Sequence, residues 1–110
     1  MAEFERAEAA GDVALAMDRS VTSIRLVGDI DFAVDRDLRV ATRAAIDRNL
    51  RVRVDLSAVT FLDSAGLSFV ARLLRNEDRP PRSVTVVGAS SVAKERLEMA
   101  GLHLLVTFEG

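Results

Sequence analysis

The chain predicts a single α/β domain: a mixed, mostly parallel five-stranded sheet with three or more helices packed mainly on one face. Three observations lead there. Hydrophobic patterns of strand and helix period alternate in the order strand, strand, helix, strand, helix, strand, helix, strand. Val52, Val54 and Leu56 alternate with Arg53 and Asp55, so this strand has one wet face, whereas a strand sandwiched between two helical layers would be apolar at almost every position. Finally, 110 residues are enough for one compact core and not comfortably for two.

Taken in order, Val13 to Met17 is a short apolar run, and a turn-like Asp18-Arg19-Ser20 separates it from a second strand at Val21 to Gly28. The pair reads as a hairpin. Val34, Leu38, Ala41 and Ala45 then recur at helical spacing until Asn49 offers a stop. After the Val52 to Leu56 strand, a second helix is expected over Ser64 to Asn76, with Leu67, Val70, Ala71 and Leu74 on its inner face and Pro80 and Pro81 ending any continuation. Val84 to Gly88 reads as a strand. Ser90 or Ser91 caps a third helix with Ala93, Leu97 and Ala100 inward, stopped by Gly101. A last strand runs from Leu102, with Leu102, Leu104, Val106 and Phe108 on one face and His103 on the other.

Composition excludes several classes of function. Fifteen basic residues stand against 17 acidic ones for a net charge of -2, which leaves no surplus for holding nucleic acid. Without cysteine and with a single histidine, His103, the chain offers no thiolate nucleophile and no Cys/His metal cluster. Neither a cofactor nor a metal is expected. Residues 1–12, acidic and alanine-rich, lack a basic start and an apolar stretch, and no apolar run approaches the roughly 18 residues of a membrane span. A cytoplasmic address without membrane insertion follows as the expectation, with residues 1–12 as a flexible leading segment.

Right-handed crossovers would bring Gly28-Asp29-Ile30-Asp31 and Thr60 to Leu67 to one edge of the sheet, where the carboxyl ends of parallel strands usually form sites. Asp63 and Ser64 there read first as a helix cap. A hydrolase triad of Ser64, Asp78 and His103 fits the chain order of one fold family, but Leu62 stands where the nucleophile elbow wants glycine. A phosphoaspartate receiver centred on Asp55 lacks the acidic pair and the late lysine. Asp29 and Asp31 are too few for a magnesium site.

Asp55-Leu56-Ser57 with Val59, Phe61, Asp63, Ser64, Gly66 and Leu67, preceded by Gly28-Asp29-Ile30-Asp31 and followed by Ala100-Gly101-Leu102, resembles the motif set of the STAS domain family. Within it the chain resembles the small stand-alone bacterial anti-sigma factor antagonists. The resemblance spans nearly the whole chain and implies a sheet with helices stacked chiefly on one face. It also implies a non-enzymatic protein that binds an anti-sigma serine kinase and is switched off when that kinase phosphorylates Ser64, a separate phosphatase reversing the change. Ala65 stands where the family often has a second serine. The partner surface so implied comprises Asp29, Asp31, Asp63, Ser64, Ala65, Gly66, Leu67, Ser68 and Phe69. For Phe69 and Leu73, about 100° or more around the helix from Leu67 and Ala71, two readings stay open: burial, or a partner contact at Phe69 and a core edge at Leu73. The same resemblance admits another role, as accessory subunit of a lipid-transport ATPase or as a stress-sensing scaffold.

Overall fold

The computed structural model describes residues 11–75 and 83–110. The expected end of the second helix at Asn76, together with Asp78, Pro80, Pro81 and residues 1–10, lies outside them. Asp18 makes the first turn: its carboxylate accepts from the Ser20 and Val21 amides at 2.8 and 2.9 Å. That closes strand β1 (Asp12–Met17) against β2 (Val21–Ile30) in antiparallel register. A 3-10 turn, Phe32–Val34, leads into helix α1 (Asp35–Arg48), which ends on Asn49 in the left-handed conformation at φ 52°, as its short polar side chain permits. Strand β3 (Arg51–Leu62), helix α2 (Ser64–Leu74), strand β4 (Val84–Val87) and helix α3 (Ser91–Met99) follow, and β5 (Thr107–Glu109) closes the chain.

Among the described residues the sheet has five strands in the order β1-β2-β3-β4-β5, and every pair after the first is parallel. One face is apolar: Ile24, Leu26, Val52, Val54, Val84 and Val86 are buried in a single cluster with Leu38, Ala41, Ala45, Phe69, Val70, Leu73 and Leu97 of the helices. On the other face Arg25, Arg53 and Ser57 remain exposed. The wet face foreseen from Val52 to Leu56 is therefore real, and it extends across the sheet.

Three details depart from the sequence expectation. Strand β3 is much longer than Val52 to Leu56, and it carries two bulges against β2. Arg25 pairs with Asp55 but Val27 with Ala58, and Gly28 pairs with Val59 but Asp29 with Phe61. Each bulge adds one residue and inverts the alternation, so two of them restore it. Leu62 is therefore buried like Leu56, and the strand still exits into α2 with its core side down. Gly28, at φ 80°, supplies the backbone conformation at the second shift that other residues rarely adopt.

The second departure is the orientation of α2. Its buried residues are Ala65, Gly66, Phe69, Val70 and Leu73, while Leu67, Ala71 and Leu74 are half-buried. The helix packs on the sheet and also against α1, which rests on the same sheet face, so its apolar arc is wider than one i, i+3, i+4 stripe. Leu73 is fully enclosed rather than at the core edge. Third, Leu102–Leu104 forms a 3-10 turn after Gly101 at φ 76°, and the strand begins only at Thr107. His103 therefore sits in a turn, and Leu104 and Leu105 are exposed. The alternating Leu102, Leu104, Val106 and Phe108 mimic a strand, but Gly101 ends α3 too close to them for the chain to reach the sheet edge before Thr107. Ala100, expected inward, caps α3 and is exposed.

Candidate functional site

Strands β2 and β3 end side by side. The Asp63 amide donates to the Ile30 carbonyl at 3.1 Å, and the Thr60 hydroxyl donates to Asp29 Oδ1 at 2.5 Å. The two segments expected to meet at this edge do so. Each exit is then turned by an aspartate: Asp31 Oδ1 accepts from the Ala33 amide at 2.9 Å to start the 3-10 turn, and Asp63 Oδ1 accepts from the Ala65 amide at 2.7 Å to start α2. Both carboxylates satisfy amides that a helix start leaves without intrahelical partners. The capping reading of Asp63 is thus correct, and Ser64, the first helical residue, is left exposed.

The rest of the first turn is built to bring α2 down onto the strand ends. A Cβ added at Gly66 would lie 2.3 Å from Leu62 Cδ1 and 3.2 Å from Ile30 Cγ2, so only a residue without one permits this approach. Ala65 and Gly66 are buried beneath the rim and support it from below. Ser68, one turn beyond Ser64, is exposed, and Leu67 is half-buried. Phe69 is the correction. It is fully buried in the core cluster, so it cannot touch a partner, and the burial alternative holds. The 3.6-residue period that puts Ser64 and Ser68 outward turns position 69 inward, toward the space under α1.

Two aromatic residues at this edge were not among the expected site residues, although Phe61 belongs to the motif set. Phe32 is 79% exposed directly after Asp31, and Phe61 is 45% exposed directly before Leu62 and Asp63. Phe61 carries the Arg96 guanidinium 5.3 Å above its ring centroid, a cation–π contact. Phe61 was visible as a motif residue, but its outward side follows only from the two bulges of β3, which together restore the alternation of Val52, Val54 and Leu56. Phe32 carries no such signal.

The rival chemistries find no geometry here. Among the described residues His103 Nδ1 is buried without a hydrogen-bond partner, so none of their carboxylates orients the imidazole as a triad requires; Asp78 lies outside the described residues. Asp55 is committed to Ser57, whose amide and hydroxyl donate to its Oδ1 at 2.9 and 2.6 Å, and these bonds hold its carboxyl below the usual carboxylate range. It also sits well inside β3 rather than at that strand's end. Among the described residues, no three metal-ligating side chains converge, and no helix is long and apolar enough to cross a membrane.

Residues 13–107 match the family described as Mlab, STAS domain. The chain belongs to the STAS domain family. Several solved structures share its fold. An anti-sigma factor antagonist from Mycobacterium paratuberculosis superimposes with a TM-score of 0.77 at 22% identity, covering 94% of this chain and 88% of that one. The anti-sigma factor antagonist SpoIIAA in its unphosphorylated form gives 0.72 at 22% identity over 88% and 87% of the two chains. The Bacillus cell fate determinant SpoIIAA in its phosphorylated form gives 0.68 at 22% identity over 88% and 90%. The sheet and its three helices are those of the SpoIIAA-like fold.

Proposed function

We propose that this STAS domain is an anti-sigma factor antagonist. With Ser64 unmodified it binds an anti-sigma serine kinase and frees a sigma factor; phosphorylation of Ser64 ends the binding. The chain is the substrate in that step and performs no catalysis itself. Ser64 Oγ bonds to the γ-phosphorus of ATP, the bond to the β-phosphate oxygen breaks to leave ADP, and the hydroxyl proton departs. A separate phosphatase hydrolyses the ester. The partner surface is the rim formed by exposed Ser64 and Ser68 with half-buried Asp29, Asp31, Asp63 and Leu67, with Ala65 and Gly66 shaping it from beneath.

The observation that carries this reading is the exposed Ser64 at the first position of a helix whose cap is already filled by Asp63. A phosphate there adds about -1.5 to -2 charges. The helix start, with its free amides and positive dipole end, tolerates that charge, so the fold survives. A kinase surface shaped around a small neutral hydroxyl does not tolerate it, and Asp63 beside it adds repulsion. SpoIIAA, solved in phosphorylated and unphosphorylated forms that both superimpose on this chain, supports a switch without unfolding.

The test is incubation with the serine kinase encoded nearest to its gene and ATP, then mapping of the phosphate by mass spectrometry. Phosphate on Ser64, tight binding by wild type and Ser64→Ala, and weak binding by Ser64→Asp are the expected results. Equal affinity of wild type and Ser64→Asp overturns the switch. Recovery with a transporter ATPase instead of a kinase and sigma factor assigns the domain to the accessory-subunit role.

A further inference from the structure

Away from the Ser64 rim, α1 and α2 bound an open groove of about 570 Å³. Its floor is apolar, formed by Val40 and Ile46 of α1, which are 58% and 36% exposed. Arg36, Arg39 and Arg43 of α1 and Arg72 of α2 surround that floor. The three arginines of α1 recur at i, i+3 and i+7, the spacing of one helix face. Only Arg39 is neutralised, by Asp35 at 2.7 Å. Among the described residues Arg36, Arg43 and Arg72 enter no ion pair, and Arg72 Nη1 is buried without a hydrogen-bond partner. A guanidinium nitrogen removed from water and left unpaired is costly.

An apolar floor beneath three uncompensated arginines is a surface that lacks its counterpart. We infer that this groove docks an acidic amphipathic helix of a protein partner, whose apolar residues cover Val40 and Ile46 and whose carboxylates pair with Arg36, Arg43 and Arg72. Charge complementarity selects this occupant. Guanidinium groups pair with carboxylates bidentately, and apolar anchors at i, i+3 or i+4 on an incoming helix suit a groove lying between two helices. A nucleic acid would waste the apolar floor and would meet a chain of net charge -2. Arg36 opens α1 near the rim, but Arg43 and Arg72 lie about two turns along their helices from it, so the body of the groove is separate from Ser64.

The experiment uses the full chain and three synthetic helical peptides of one leucine pattern, carrying glutamate, glutamine or lysine on the polar face. Affinity is read by fluorescence anisotropy at two salt concentrations, and the binding surface by amide chemical-shift changes. The expected result is binding of the glutamate peptide alone, weakened by salt, with shifts centred on α1 and the end of α2. Arg36→Glu/Arg43→Glu, both exposed positions, should lose at least about tenfold in affinity, while circular dichroism and melting stay unchanged; Ser64→Asp should bind the peptide like wild type. Equal binding of the glutamine peptide, shifts confined to the Ser64 rim, or no binding at all overturns the inference. So does preferential binding to vesicles containing phosphatidylglycerol, which would make the groove a lipid-headgroup surface.

Discussion

Asp55 and Asp63 lie eight positions apart in the same stretch of chain and make the same local bond, a carboxylate oxygen accepting from the amide two residues on. Their surroundings differ. Asp55 sits within a strand at the bare sheet face, where the Ser57 hydroxyl also donates to it at 2.6 Å. Asp63 opens a helix, and the adjacent Ser64 is presented outward above a layer of buried Ala65, Gly66 and Phe69. The same reach from Asp18 closes a hairpin, and from Asp31 it starts a 3-10 turn. The aspartate is thus a backbone device used four times among the described residues. What distinguishes the Ser64 corner is an exposed serine on a helix start held down from beneath.

That support can be removed piece by piece. Phe69→Ala deletes a fully buried ring below the rim and should cost about 3–5 kcal/mol in urea unfolding. A loss under about 1 kcal/mol would return Phe69 to the surface and dissolve the contrast between the two corners. Gly66→Ala places a methyl against Leu62 and should cost about 1–3 kcal/mol by overpacking. Shortening the neighbour in Gly66→Ala/Leu62→Val should recover part of it, so the double variant falls short of the sum of the singles. Asp63→Ala removes the cap and should cost about 1 kcal/mol, with Asp63→Asn restoring most of it; full stability in the alanine variant would mean the cap is not what orients Ser64.

Much of this corner was legible in the sequence because its causes are local. A cap residue and period-two alternation each act within a few positions, and so a cap at Asp63 or Ser64, the helix start and the wet sheet face emerged from the residues, while the role of Ser64 came from the family resemblance. What stayed hidden depends on contacts remote in the chain. The two bulges of β3 are set by pairing with β2, and the burial of Phe69 and Leu73 depends on α1 lying across α2. The false strand over Leu102 to Leu105 arose because alternating leucines carry no information on whether the chain can reach the sheet edge. The groove on α1 was equally hidden, since arginines at i, i+3 and i+7 read as a solvated face until Arg72 is placed opposite them.

The smallest expected effect is the one that isolates the bare-face corner. Hydrogen bonds from the Ser57 hydroxyl and amide, then attraction from Arg25 and Arg53, lower the Asp55 pKa, with partial burial opposing them. A carboxyl whose pKa is lower folded than unfolded stabilises the protein fully above the unfolded value. That stabilisation is lost as pH falls through the folded one. The stability difference between wild type and Asp55→Asn should therefore be constant above about pH 5 and shrink below about pH 4. Because water still reaches this half-buried group, it should stay smaller than the effect of Asp63→Ala. Ser57→Ala should reproduce most of the change, since its hydroxyl bond is the leading cause. If instead the difference is flat down to acid unfolding, the Asp55–Ser57 bond does not favour the ionised carboxylate, and the two aspartates are not variations on one device.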